Sequence, residues 1–171
     1  MNANTTGVGS TAVGFNALAY ATTGGYNTAF GYDAANLTTT GTGITAIGYR
    51  ALENNSTASY NNAVGNFALF SNTTGAYNTA EGASALFSNT TASNNTAVGY
   101  QACYSGQTGL SNTAVGSQAL YANTASYNTA VGVIALTAAT SGGNNTAFGY
   151  GAGGGITTGA GNVLIGLQAG Y

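Results

Sequence analysis

Polar and apolar positions along this chain follow a pattern that restarts every 17 residues. Each restart carries the string Asn-Thr-Ala-Val-Gly-x-x-Ala-Leu-aromatic, followed by a stretch of Asn, Thr, Ser and Gly. Clear copies begin at Asn112 and Asn128, and the stretch from Ser71 to Tyr77 typifies the polar part. The glycine that closes the Ala-Val-Gly step sets the period. It recurs at Gly14, Gly31, Gly48, Gly65, Gly82, Gly99, Gly116, Gly132, Gly149 and Gly166, with one step of 16 between Gly116 and Gly132. A fixed period of this length marks a solenoid in which each repeat is one coil. Residues 1–171 therefore read as a single domain of ten coils centred on those glycines.

Seventeen residues are too few for the helix pairs of longer repeats, and Gly, Asn and Thr are poor helix formers. One or two short strands and turns fit instead. Alternation along a strand puts the threonine, the valine, the residue after the glycine and the following alanine on one face. The strand alanine, the glycine and the leucine fall on the other. Both faces are largely apolar, which implies burial on both sides. A lone solenoid buries one face, so the second predicts packing between chains. Stacked coils place like residues about 4.8 Å apart, giving columns of Ala, Val, Asn and Thr and a rod of roughly 50 Å. The columns through Ala97, Val98, Gly99, Ala102, Ala114, Val115, Gly116 and Ala119 are the predicted structural framework.

Charge is nearly absent. Arg50 is the one basic residue, and Asp33, Glu53 and Glu81 are the acids. Such a surface offers no electrostatic footprint for nucleic acid and favours self-association. With no histidine and the acids on separate coils, neither a metal centre nor a catalytic carboxylate pair is expected. Nor does any serine or threonine have a His or Lys partner to activate it. The run Gly151-Ala152-Gly153-Gly154-Gly155 lacks the Lys-Ser/Thr ending of a phosphate loop. An enzyme is not expected, and no cofactor.

Two residues depart from their columns. Glu81 stands among valines, where burial would demand a partner. It is expected to meet solvent or neighbouring asparagines, the alternative being an ion or register-fixing site. Cys103 replaces a leucine and reads as a small buried hydrophobe. The N-terminal residues show neither the basic region nor the apolar core of a signal peptide, and no apolar run suits membrane insertion. The last residues stop just after the Ala-Leu-aromatic step, and the first resemble the polar turn that follows it. Asn2, Asn4, Thr5 and Gly7 are thus expected to meet Leu167, Ala169 and Tyr171 of the next copy, giving a head-to-tail polymer or marking a fragment cut in phase.

The string Asn95-Thr96-Ala97-Val98-Gly99-Tyr100-Gln101-Ala102 resembles the YadA-like head repeats of trimeric autotransporter adhesins, and equally repeats of phage tail fibres. That resemblance, which covers all ten repeats, implies a left-handed parallel β-roll with three chains around one axis. The repeat here is longer than the usual adhesin head repeat, so a larger outer loop is expected. No stalk, anchor barrel or chaperone domain is recognisable in the sequence. The expectation is an all-β parallel solenoid, trimeric, serving as an extracellular, cell-surface or virion fibre. The alternative is a tail-fibre or adhesin segment that binds a receptor. A further class is ice or glycan binding. The threonine column through Thr28, Thr45, Thr79, Thr96, Thr113, Thr129 and Thr146 could form an ice plane, but alternation puts it on a buried face. Tyr26, Tyr60, Tyr77 and Tyr127 are expected to be exposed, stacking on sugars or on neighbouring surfaces. Asn-x-Ser/Thr sequons at Asn4, Asn36, Asn55, Asn72, Asn89 and Asn144 follow from the composition and are weak signals for glycosylation.

Overall fold

The computed structural model describes residues 5–106 and 108–171. The chain is an all-β parallel solenoid built from ten three-residue strands. These are β1 (Thr11–Val13), β2 (Thr28–Phe30), β3 (Thr45–Ile47), β4 (Asn62–Val64), β5 (Thr79–Glu81), β6 (Thr96–Val98), β7 (Thr113–Val115), β8 (Thr129–Val131), β9 (Thr146–Phe148) and β10 (Val163–Ile165). They form one sheet in sequence order, each strand in register with the next coil, so that Ala97 lies beside Ala114 and Val98 beside Val115. The 16-residue step leaves register intact, because Thr113 still pairs with Thr129. The missing residue comes out of the polar turn. There the Asn123 Nδ2 donates to the Ala125 carbonyl at 2.8 Å and closes the shortened loop.

The periodic glycine ends each strand. Its φ lies between +127° and +143° in all ten coils, a region open only to glycine. In the first nine coils it also has no room for a side chain, as a Cβ on Gly116 would lie 2.5 Å from the Gly132 carbonyl oxygen. Beyond it the chain turns through left-handed residues such as Gln118 (φ 56°) and Leu120 (φ 52°). Even β-branched Ile134 takes φ 53°, which costs energy in isolation. Bonds between coils hold these residues in place. The Gln118 N–H donates to the Tyr100 carbonyl of the coil before, and the Leu120 N–H to the Ala135 carbonyl of the coil after, both at 2.9 Å.

This turn corrects the simple alternation read from the sequence. Alternation carried past the glycine would put Ala102 and Ala119 with the outward threonines and valines. The left-handed turn swings them inward, and both are fully buried beside Ala97, Ala114 and Leu120. The core is therefore a stack of strand alanines, turn alanines and leucines. Each leucine is worth about 2–5 kcal/mol against truncation to alanine.

Candidate functional site: a polar spine behind an apolar outer face

Two columns of asparagine run through the interior. The first precedes the strands and includes Asn61, Asn78, Asn95, Asn112, Asn128 and Asn145, all buried. Each Oδ1 accepts from the backbone N–H of its equivalent one coil on, as in Asn95 N–H to Asn78 Oδ1 at 3.0 Å. Each Nδ2 donates to a turn carbonyl of the following coil, as in Asn78 to Ala92 at 2.8 Å. The second column, Asn55, Asn72 and Asn89, follows the leucines. Here side chain bonds to side chain, with Asn72 Nδ2 donating to Asn55 Oδ1 at 3.0 Å and Asn89 Nδ2 to Asn72 Oδ1 at 2.8 Å. Buried amides need such partners, since an orphaned group costs about 1–3 kcal/mol. Two buried amide oxygens among the described residues lack a partner: Asn36 Oδ1, outside these columns, and one in the second column, because coil six carries Gly106 where the next amide should stand. Asn89 Oδ1 is buried without a partner.

The spine holds the strands so that one side faces out. The strand threonines and valines point away from the core, and Val98 and Val115 are half-buried in the single chain. Val13, Phe30, Ile47, Phe148 and Ile165 of the same column are exposed. Beside them runs the column just after the glycine, where Phe15, Tyr32, Tyr49, Tyr100 and Tyr150 are exposed as well. Phe15, Tyr32 and Tyr49 stack face to face at 5.1 and 5.5 Å. Edge-on contacts of Phe67 with Tyr49 at 5.2 Å and with Phe70 at 5.6 Å join this stack to a further one, Phe70, Phe87, Tyr104 and Tyr121, at 5.1–5.2 Å spacing.

Within the single chain the threonine column faces outward. Thr28 and Thr146 are exposed, and Thr45, Thr79, Thr96, Thr113 and Thr129 are half-buried. Its burial was inferred from packing between chains, and within the chain the strand turns only its alanine inward. Glu81 is exposed and accepts from Asn62 Nδ2 at 3.3 Å, as expected of a charge that meets a neighbouring asparagine. Tyr26, Tyr60, Tyr77 and Tyr127 are exposed, and the rings of Tyr60 and Tyr77 stack at 5.2 Å. Cys103 lies buried in the leucine column, and burial pushes its thiol up to about 12.

Of the residues expected at the ends, Asn2 and Asn4 lie outside the described residues. The Thr5 and Gly7 N–H groups donate to the Thr22 carbonyl at 2.9 and 3.4 Å. At the other end Leu167 and Tyr171 are exposed, and the Ala169 carbonyl accepts from the Gly153 N–H at 2.8 Å. The sequons divide sharply. Asn55, Asn72 and Asn89 are fully buried in the spine and closed to glycosylation in the folded chain, whereas Asn144 is exposed.

Sequence reasoning missed one charged cluster. Arg50 pairs with Glu53 three residues on, and its guanidinium lies 4.9 Å from the Phe70 ring centre and 5.7 Å from that of Phe67. The spacing of the two charges was a visible signal; the aromatic setting was not. Among the described residues no group of acids, His or Cys could hold a metal ion, and no pocket opens. No helix is long and apolar enough to cross a membrane. No protein-family model, curated protein or solved structure matches the chain.

Proposed function

We propose that this chain is a structural fibre element whose outer strand face closes against copies of itself. The observation that carries the reading is the exposed pair of columns through Val13, Phe30, Ile47, Tyr32, Tyr49 and Phe148. The two columns run along all ten coils, the length of face that an interface of about 800 Å² per partner needs. Monomeric proteins rarely leave so long an apolar strip to water. The chain has four charged residues in all, so the strip has no complementary charge with which to recruit a polar partner. A second copy, presenting the same strip, is the matching surface. The likeness of the repeat to YadA-like heads supports three chains around one axis, in an extracellular or virion setting. Along the axis, β1 and β10 each pair on one edge within the chain.

The outward threonine column favours a second reading, an ice-binding plane. The adjacent column argues against it, because Val98, Phe30, Ile47 and Glu81 stand to different heights and leave no level surface. Electron microscopy of the purified chain over a range of concentrations separates these readings. Rods of uniform width, thicker than one solenoid and absent in Val115→Lys, support the fibre. Thin single solenoids at every concentration, with thermal hysteresis in solution, support the ice plane and overturn the fibre.

A further inference from the structure

The outer strip is apolar in most coils, though its side chains differ in size, and this raises a problem of alignment. A surface that repeats about every 4.8 Å lets two copies slide by one coil with little change in contacts. Something must select one alignment if the assembly is to have a single form. Among the described residues the strip carries one charge, in coil five, next to a change in coil four. There Glu81 replaces valine on β5, and Asn62 replaces threonine on β4, donating to Glu81 Oε1 at 3.3 Å. The column after the glycine also lacks aromatics in these coils, with Asn66 and Ala83 in place of Tyr49 and Tyr100, as it does again at Ser117 and Val133. Asn66 Oδ1 accepts from the Tyr49 N–H at 3.3 Å. Four departures from the repeat thus fall side by side and make a polar notch in an apolar strip.

We propose that this notch, with Glu81 and Asn62 at its centre, fixes the axial register in which copies of the chain associate. The inference rests on the self-association reading above and says how that interface is aligned. In register, each copy brings its notch to the same layer. The Asn62 amide of one copy can then donate to Glu81 of another, and the polar groups share partners. Out of register, each Glu81 faces Val64 or Val98 of another copy, and an unpaired charge is desolvated against apolar side chains. No charged group on β4 or β6 can compensate it, since those strands carry Asn62, Ala63 and Val64, and Thr96, Ala97 and Val98. Every slipped alignment carries this cost once per copy. A single buried polar position sets register and partner number in coiled coils by the same logic.

The test compares the native sequence with the double variant Asn62→Thr, Glu81→Val, which restores the repeat and should fold. Both carry Thr91→Cys, an exposed site away from the strip, for a spin label. Cys103 is buried and stays unlabelled. Dipolar spectroscopy then reads distances between copies. The proposal predicts one narrow distance for the native strip. In the double variant it predicts a spread of distances, displaced as expected for slips of one or more coils. A single narrow distance in both would overturn the register inference while leaving association intact. No distance between copies in either protein would overturn the association reading itself.

Discussion

Coils four and five fill their interior differently from coils nine and ten, although all four share one backbone path. In the former, small Ala63 and Ala80 sit in the strands and large Leu69 and Leu86 at the turn, with Asn72 and Asn89 beyond. In the latter the turn residues are Gly153 and Gly170, and the strand residue of coil ten is Leu164. A Cβ on Gly153 would lie 2.7 Å from Leu136 Cδ2 on one side and 2.8 Å from Leu164 Cδ1 on the other, and one on Gly170 only 2.4 Å from Leu164 Cδ2. Leu164 thus occupies the room that the turn leucines fill elsewhere. Ile156 likewise stands where the asparagine column would continue. The interior specifies volume and satisfied hydrogen bonds, not a fixed residue at each place.

The largest contrast should come from the glycines. Gly65→Ala sets a Cβ 2.6 Å from the Gly82 backbone and holds alanine at φ 136°. Strain and overpacking together predict a loss of about 4 kcal/mol or more. Gly166→Ala, with no atom within 4 Å, keeps only the conformational cost of about 1–3 kcal/mol. Thermal melts of both variants followed by circular dichroism check the ranking; equal losses would mean that the close approach between coils is not what requires glycine.

Next come the leucines. Leu69→Ala and Leu164→Ala should each cost about 2–5 kcal/mol in urea unfolding. Adding Gly153→Leu should recover most of the Leu164→Ala loss and none of the Leu69→Ala loss. Recovery in both backgrounds, or in neither, would break the volume exchange inferred for the last coils.

The spine gives smaller effects. Asn72→Ala removes the donor to Asn55 Oδ1 and to the Gly75 carbonyl, and should cost about 1–3 kcal/mol. The reverse experiment is available at coil six, where Gly106 leaves Asn89 Oδ1 unpartnered. A Cβ on Gly106 would lie 2.6 Å from Cys103 Sγ, so the residue must change together with its neighbour. The pair Cys103→Leu, Gly106→Asn restores the repeat and should gain about 0.5–1.5 kcal/mol, measured by the same unfolding.

Much of this architecture was legible in the chain because its cause is periodic. The recurring glycine gave the coil, the parallel register and the position of Cys103 in the leucine column. Glu81 could be placed beside an asparagine because an unpaired buried charge is too costly to expect. The asparagine spine was harder to see. Asn is ordinarily a turn residue, and nothing local says that Asn78 bonds to residues 17 positions away rather than to its own turn. The inward swing of Ala102 and Ala119 was missed because alternation holds only while the strand continues. The Leu164 exchange was hidden because its partners, Gly153 and Gly170, read as loop glycines.

The smallest expected effect concerns the buried thiol. Burial raises Cys103 from 9.0 to about 12, so the unfolded chain loses the thiol proton first as pH rises. Stability contributed by the neutral thiol is full below about pH 9 and declines toward pH 12, by under ~1 kcal/mol at pH 9.5. Urea titrations at pH 8 and 9.5 read that difference, and Cys103→Ala should abolish it. A thiol reagent at pH 8 should label the chain only in denaturant.

The central claim is that the outer strand face closes on copies of this chain, and its mass in solution is the most direct measure. Sedimentation equilibrium should return an integral multiple of the 16.7 kDa chain, three being the value that the repeat's resemblance supports. Val115→Lys with Val131→Lys, both pointing away from the core, should reduce it to 16.7 kDa with the circular dichroism spectrum unchanged. A native mass of 16.7 kDa at every concentration tested would contradict the account.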